Sequence, residues 1–191
     1  MDTYHVVLYI HFLSLIAGFG AGIVETVCLL KLRAAETLEA AVPWGQLAGQ
    51  IEKAFPVAIV GLYGSGIYMT QHFWAFSDSW VTIPIVGLAV LALQGPLVAG
   101  RQGHKLKSAL MANGPGPLKG EARDLTVDPL LWSAAFSNEG LVLAIIWVMT
   151  VKPGWGGAIA AVVIGYAVGV AFALRSARKP AVAAAPAGEA A

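Results

Sequence analysis

The amino-acid sequence predicts an all-α membrane protein, a bundle of five transmembrane helices with its N-terminus outside and its C-terminus inside. Hydrophobic residues make up 58% of the 191 residues and charged residues only 12%, whereas soluble domains typically carry about 25% charged residues. Five apolar runs are each long enough to cross a hydrocarbon core about 30 Å thick. Residues 1–179 are predicted to form one transmembrane domain, and the Ala/Pro-rich residues 180–191 a disordered tail.

The five predicted spans cover residues 6–30, 54–71, 81–100, 130–151 and 156–174. The fourth span must begin near Leu130, because a run beginning at Gly140 would be too short to cross the membrane before Lys152. This start places two polar residues, Asn138 and Glu139, inside the bilayer.

Basic residues determine the predicted orientation. Eleven of the 12 lysine and arginine residues fall in segments 31–53, 101–123 and 175–179, and only Lys152 lies on the other side. Because basic loops stay in the cytoplasm, this distribution predicts a multi-pass protein of a bacterial cytoplasmic (inner) membrane, surrounded by the lipid bilayer. The formal net charge of +1 argues against nucleic acid as a partner.

The first span carries a stripe of small and polar residues at helical spacing: His11, Ser14, Gly18, Gly22 and Glu25. At 100° per residue these positions share one helix face. A membrane helix turns such a face toward other helices, and an ionisable residue at this depth is a functional hypothesis by default. We therefore expect the stripe to face the interior of the bundle.

Four residues that suit a soft metal lie toward the predicted outer side: His11, Met69, His72 and Met149. Imidazole and thioether groups ligate haem iron and copper, and Met69 and His72 share a helix face because they are three residues apart. This pattern predicts a haem b or copper site that uses His11. The alternatives are a hydrogen-bonded structural histidine at His11, core-filling methionines and an interfacial, hydrated His72.

Four further polar residues lie toward the predicted inner half: Glu25, Gln94, Asn138 and Glu139. No basic residue lies at mid-membrane depth to pair with them, so protonation or a bound cation must remove the carboxylate charge. This favours proton- or cation-coupled transport through Glu25 and Glu139. The alternatives are neutral glutamates hydrogen-bonded to neighbours, or a Glu25 side chain that extends to the inner interface.

The last span has a small residue at every fourth position: Gly157, Ala161, Gly165, Gly169 and Ala173. Such a ladder lets another helix approach closely. Two interpretations are open, namely packing within one protomer and a seam for a homodimer or a larger membrane complex.

Short motifs give the chain a resemblance to known membrane proteins. Residues 9–14, Tyr-Ile-His-Phe-Leu-Ser, resemble the first span of bacterial copper-resistance D-type membrane proteins and of small haem-binding protoporphyrinogen oxidases. The chain is also similar to an uncharacterised family of predicted integral membrane proteins near these groups, through Gly95-Pro96, Arg101 and the Met-Thr-Val-Lys-Pro-Gly turn at 149–154.

The resemblance implies that His11 occupies the position of the haem-ligating histidine of the oxidases. Gly18 and Val27 stand where the oxidases have an aromatic and a basic residue, so haem or metal binding is favoured over oxidase activity. The sequence also lacks a phosphate-binding Gly-rich loop, HExxH, Gly-x-Ser-x-Gly and CxxC, so enzymatic activity is not favoured. Three hypotheses remain: haem or copper binding, proton- or cation-coupled transport, and an accessory subunit of a larger membrane complex.

Overall fold

The computed structural model describes residues 2–176, and every regular element in them is helical, which confirms the all-α prediction. The α-helices are α1 (Thr3–Ala34), α2 (Leu38–Ile51), α3 (Ala54–Phe73), α4 (Ser79–Gln94), α5 (Arg101–Ala112), α6 (Gly120–Leu125), α7 (Pro129–Val151) and α8 (Trp155–Ser176). A π-helical segment, Gly95–Gly100, joins α4 to α5. The predicted disordered tail, 180–191, lies outside the described residues.

Four helical stretches in the described part of the chain are long and apolar enough to cross a membrane. They are α1, the continuous stretch Ser79–Ala112, the stretch Gly120–Val151 that contains α7, and α8. They match the first, third, fourth and fifth predicted spans, so the chain is a membrane protein. Helix α3, the second predicted span, is 20 residues long but less apolar, because glycines, tyrosines and a polar C-terminal turn dilute its hydrophobic residues.

Helices α1 and α3 form an antiparallel pair. Contacts recur along it between Tyr4 and Phe73, His11 and Ser65, Ser14 and Gly61, and Gly18 and Ala58. Each step toward the C-terminus on α1 is matched by a similar step toward the N-terminus on α3, so the two helices run side by side over the whole length of α3. The polar stripe of α1 therefore faces another helix, as predicted from its spacing.

Helices α7 and α8 form the most extensive helix pair in the described chain. Gly140 and Gly165 bring the two backbones together, and Gly169 lies against the Phe136 carbonyl. The ladder on α8 is thus used for packing within the protomer at Gly165, Gly169 and the fully buried Ala173. This part of the predicted partner seam is wrong, because α7 already covers it.

The turn between α7 and α8 is held by aromatic rings. Lys152 adopts a left-handed conformation with φ of 53°, and its Nζ lies 4.4 Å from the ring centre of Trp74 and 4.2 Å from that of Trp80. The Ser79 hydroxyl donates to the Pro153 carbonyl at 2.6 Å. These contacts join the α3–α4 loop to the α7–α8 turn, and we call this end of the bundle the tryptophan end.

The opposite end, which we call the cap end, is closed by α2, α5 and α6. The main buried apolar cluster lies here and includes Leu32 and Trp132, whose side chains are almost fully enclosed. The cluster joins the cap helices to the adjoining ends of α1, α7 and α8.

Hydrogen bonds between two loops complete the cap. The Leu38 N–H donates to the Gly116 carbonyl at 2.9 Å, and the Gly116 N–H donates to the Glu39 carboxylate at 3.0 Å. The Glu39 N–H, the Gly116 N–H and the Thr37 hydroxyl hold the pKa of Glu39 below its ordinary value. Gly116 has φ of 96°, a conformation that favours glycine.

Candidate functional site

A cavity of about 1470 Å³ separates two groups of helices. The α1–α3 pair forms one wall, α4 and α7 form the other, and α2 and α5 line the cap end of the cavity. Direct contacts of α1 with α7 and of α3 with α4 are fewer than those within the α1–α3 pair. The cavity extends from Trp80 and Lys152 at the tryptophan end to Lys53 and Lys107 at the cap end. It exceeds the usual ligand pocket of roughly 300–1,000 Å³.

His11 lines this cavity and is anchored to α3. Its Nδ1 lies 2.9 Å from the Ser65 hydroxyl oxygen, and that hydroxyl lies 2.5 Å from the Gly61 carbonyl oxygen. A hydroxyl has one hydrogen. With Ser65 donating to the carbonyl, we assign the tautomer in which the imidazole donates from Nδ1 to the Ser65 oxygen. In this tautomer the neutral ring carries its lone pair on Nε2.

The predicted metal ligands fall into two sets. Met69, one turn beyond Ser65 on α3, and Met149, near the end of α7, line the same cavity as His11. His72 does not line the cavity. Its ring stacks on Tyr68 at 4.3 Å and its Nδ1 lies 2.9 Å from the Tyr68 carbonyl oxygen, so the structure separates His72 from the other three.

The donor set fits haem or a soft metal better than a harder ion. Residues 2–176 contain no group of three His, Cys, Asp or Glu side chains arranged to hold a metal. What the cavity offers is two imidazoles, His11 and His104, and three thioethers, Met69, Met111 and Met149. Both are ligand types found in haem and copper sites. The Nδ1–H bond to Ser65 is the kind of outer hydrogen bond that orients a ligating histidine.

Glu25 and Glu139 also line the cavity, from α1 and α7 respectively. The Glu139 carboxylate lies against Gly22, where any larger side chain on α1 would collide with it. Within residues 2–176 neither glutamate forms an ion pair with a lysine or arginine. Two neighbouring polar atoms, Thr26 Oγ1 and Asn138 Oδ1, are buried without a hydrogen-bond partner in the described structure, and both residues line the same cavity.

Gln94 does not join the carboxylates. Its side-chain amide donates to the Ser137 hydroxyl at 2.7 Å, and its carbonyl oxygen accepts from the Tyr166 hydroxyl at 2.9 Å. Gln94 does not line the cavity; it bridges α4, α7 and α8. The grouping of Gln94 with Glu25 was made by depth alone and stays a prediction, because matching depth does not ensure that two helices turn their polar residues toward each other.

Sequence reasoning missed two residues of the site. Ser65 lies in a glycine-rich stretch of α3, and its spacing of four residues from Met69 places both on one face of that helix. Thr26 directly follows Glu25 and appeared unremarkable among apolar neighbours. Only the juxtaposition of α1 with α3 and α7 shows what either residue contacts.

The fold and the cavity together define a class: an all-helical membrane protein with a large cavity whose lining includes two histidines and three glutamates. Comparison with protein-family models, with curated proteins and with solved structures finds no match to this chain. The resemblance to the copper-resistance and haem-binding groups thus stays a prediction, and the function must be argued from the site.

Proposed function

We propose that this protein binds haem b or copper in its internal cavity, with His11 Nε2 as the protein ligand. The observation that carries this proposal is the hydrogen bond from His11 Nδ1 to Ser65, which sets the tautomer and leaves the Nε2 lone pair available. Met69 and Met149 line the same cavity and supply thioether sulfur. Bound haem or copper would provide one-electron redox chemistry.

The spectrum of the purified protein tests this proposal directly. Wild-type protein expressed with added haem and copper is expected to show a Soret band, a reduced-minus-oxidised difference spectrum, or about one bound copper per chain by metal analysis. A colourless and metal-free wild-type protein after both supplements would contradict haem and copper binding alike.

We further propose five membrane crossings with the tryptophan end outside and the cap end in the cytoplasm of a bacterial cell. Helix α3 lies alongside α1 over its full length, and its 20 residues extend about 30 Å at 1.5 Å per residue, the thickness of the hydrocarbon core. Basic residues concentrate at the cap end, and Trp74 and Trp80 lie at the other end, where interfacial aromatic residues are expected.

Reporter fusions test this topology. Fusions after Leu30, Gly100 and Leu174 are expected to report the cytoplasm, and fusions after Gln71 and Val151 the outside. The fusion after Gln71 is decisive for α3, because a chain in which α3 does not cross would keep that reporter in the cytoplasm. An outside signal at Gly100 would contradict the orientation as well.

A second candidate function, transfer of protons or cations, is favoured by the carboxylates that line the same cavity, Glu25, Glu52 and Glu139. Glu25 and Glu139 face a common space without a basic partner in the described chain, beside the unpartnered oxygens of Thr26 and Asn138. Ionisable groups inside a membrane commonly form proton relays and ion pathways.

Glutamine substitutions test the second function. Glu25→Gln and Glu139→Gln are expected to fold normally but to lose proton- or sodium-dependent flux in proteoliposomes, because glutamine keeps the shape and cannot carry the charge. Glu36→Gln, an exposed position outside the cavity, is the matched control and should leave flux unchanged. Flux that both cavity variants retain would contradict a role for these carboxylates.

The accessory-subunit hypothesis stays a prediction, tested by subunits that co-purify from the native membrane. The α8 ladder from Gly165 to Ala173 packs against α7. A partner subunit would therefore have to bind another, lipid-facing surface of the bundle.

A further inference from the structure

Acidic and basic side chains come together where the cavity reaches the cap end. The Glu52 carboxylate oxygen lies 3.4 Å from the position that a Cβ atom on Gly100 would take, so Glu52 and Lys53 lie beside the start of α5. His104 and Lys107 follow one and two turns further along α5, on one helix face. All four line the cavity, and we call Glu52, Lys53, His104 and Lys107 the charged mouth.

The charged mouth lies at the depth of a lipid head group. The helical stretch that begins at Ser79, beside Trp80, rises about 30 Å to Gly100 at 1.5 Å per residue. This rise equals the thickness of the hydrocarbon core. With the tryptophan end at one interface, as proposed above, the charged mouth lies at the other, and the cavity between them runs through the depth of the lipid tails.

Behind the charged mouth the walls of the cavity are mostly apolar, with Ile59, Leu62, Leu88, Leu91 and Val142 among the lining residues. Protein interiors contain few voids larger than a water molecule, and even an engineered apolar cavity of about 150 Å³ takes up small apolar molecules. This cavity has about 1470 Å³. Lipid tails are the apolar molecules that surround a membrane helix, so an acyl chain is the guest that suits this space.

We propose that the cap end of the cavity binds a phospholipid whose head group combines a phosphate with a primary ammonium, the chemistry of phosphatidylethanolamine. The phosphate lies against Lys53, His104 and Lys107 in this arrangement, and the ammonium donates its three N–H groups toward Glu52 and Glu25. One acyl chain occupies the apolar space behind the head group.

Charge complementarity supports this head group. No ion pair joins Lys53 or Lys107 to Glu52 in residues 2–176. Glu25 lies level with Glu52, because Gly18 meets Ala58 in the antiparallel α1–α3 pair and each glutamate lies about two turns beyond that contact. The cap end therefore presents both signs of charge. A head group of one sign would leave the groups of like sign without a counter-charge, which is costly away from water.

Two further charged residues of the lining lie elsewhere. The Glu139 carboxylate lies against Gly22, about one turn deeper than Glu25, and Lys152 lies between the two tryptophan rings at the other end. Fourteen residues of one continuous helix separate His11 from Glu25, which corresponds to about 21 Å along α1. The inference therefore goes beyond the proposed functions and holds with or without a ligand at His11.

The test measures the affinity of the full chain, freed of lipid in detergent, for three phospholipids by native mass spectrometry. Phosphatidylethanolamine, phosphatidylcholine and phosphatidylglycerol are used with identical acyl chains. Phosphatidylcholine lacks the N–H donors and phosphatidylglycerol lacks the cation, so phosphatidylethanolamine is expected to bind about tenfold more tightly than either, as charge-assisted hydrogen bonds imply. Glycerophosphoethanolamine, which has the same head group without tails, is expected not to bind.

Variants of the charged mouth separate the two halves of the head group. Lys53→Gln and Lys107→Gln should each weaken the binding of all three lipids about fivefold. The double variant Glu25→Gln/Glu52→Gln should abolish the preference for phosphatidylethanolamine over phosphatidylglycerol. Lys119→Gln and Glu36→Gln change exposed residues that do not line the cavity and should bind as the wild type does. Circular dichroism and size-exclusion chromatography verify that the variants fold.

Equal affinity of the wild type for the three phospholipids would overturn the inference without reference to any variant, and so would tighter binding of phosphatidylglycerol. Binding of glycerophosphoethanolamine as tight as that of the whole lipid would contradict the placement of the acyl chain. A preference for phosphatidylethanolamine that the folded double variant retains would overturn the assignment of Glu25 and Glu52.

Discussion

Gly165→Leu is expected to disrupt the packing of α7 against α8 and to destabilise the whole bundle. A Cβ atom at Gly165 would lie 2.5 Å from the Gly140 carbonyl oxygen and 2.8 Å from the Ala144 Cβ. The first of these is backbone, which cannot rotate away, so the helices must separate. We expect a cost of about 3 kcal/mol or more, the upper end for overpacking, and an apparent melting temperature lower by about 10 °C.

Val163→Leu is the matched control, because Val163 lies on the same helix with 60% of its surface exposed toward the predicted lipid face. Its expression and melting temperature in detergent should equal those of the wild type. Gly165→Ala should fall between the two, since it adds the colliding Cβ alone. Equal stability of Gly165→Leu and Val163→Leu would show that α7 and α8 do not pack through these glycines.

His11→Ala is expected to lose bound haem or metal while the protein still inserts and folds. Insertion depends on the apolar spans, and the alanine variant lacks the Nε2 ligand. Ser65→Ala should keep the ligand but lose the acceptor that orients it, which lowers affinity for haem or metal about 10- to 100-fold. The measurements are the reduced-minus-oxidised spectrum, metal content per chain and helicity by circular dichroism.

His72→Ala provides the control for a histidine that lies outside the cavity. Its ring stacks on Tyr68, so its removal should leave the spectrum and metal content unchanged. If His11 is only a hydrogen-bonded structural histidine, a different pattern is expected. His11→Ala and Ser65→Ala then lower the melting temperature, and the wild type has no cofactor to lose. Loss of haem or metal in His72→Ala with retention in His11→Ala would contradict the proposed ligand.

Part of the candidate site could be predicted from the sequence because two of its residues share one helix. His11 and Glu25 lie on a single stripe of α1, and helical spacing is enough to place them on the same face. Counting residues along the predicted spans also places Glu139 at about the same membrane depth as Glu25. The sequence could not show whether Gln94 and His72 line the cavity, because depth does not specify the rotation of one helix relative to another.

The sequence by itself determined four long apolar helices, where the α7–α8 turn falls and which residues cannot face lipid. These properties follow from the transfer of each segment between water and hydrocarbon, which depends on local composition. Only the tertiary structure decided that α8 uses its glycines on α7, that Ser65 orients His11 and that a cavity separates two helix groups. Helices in lipid associate through complementary shapes and through hydrogen bonds between residues that are distant in the sequence. Local composition does not specify which helix surfaces fit together.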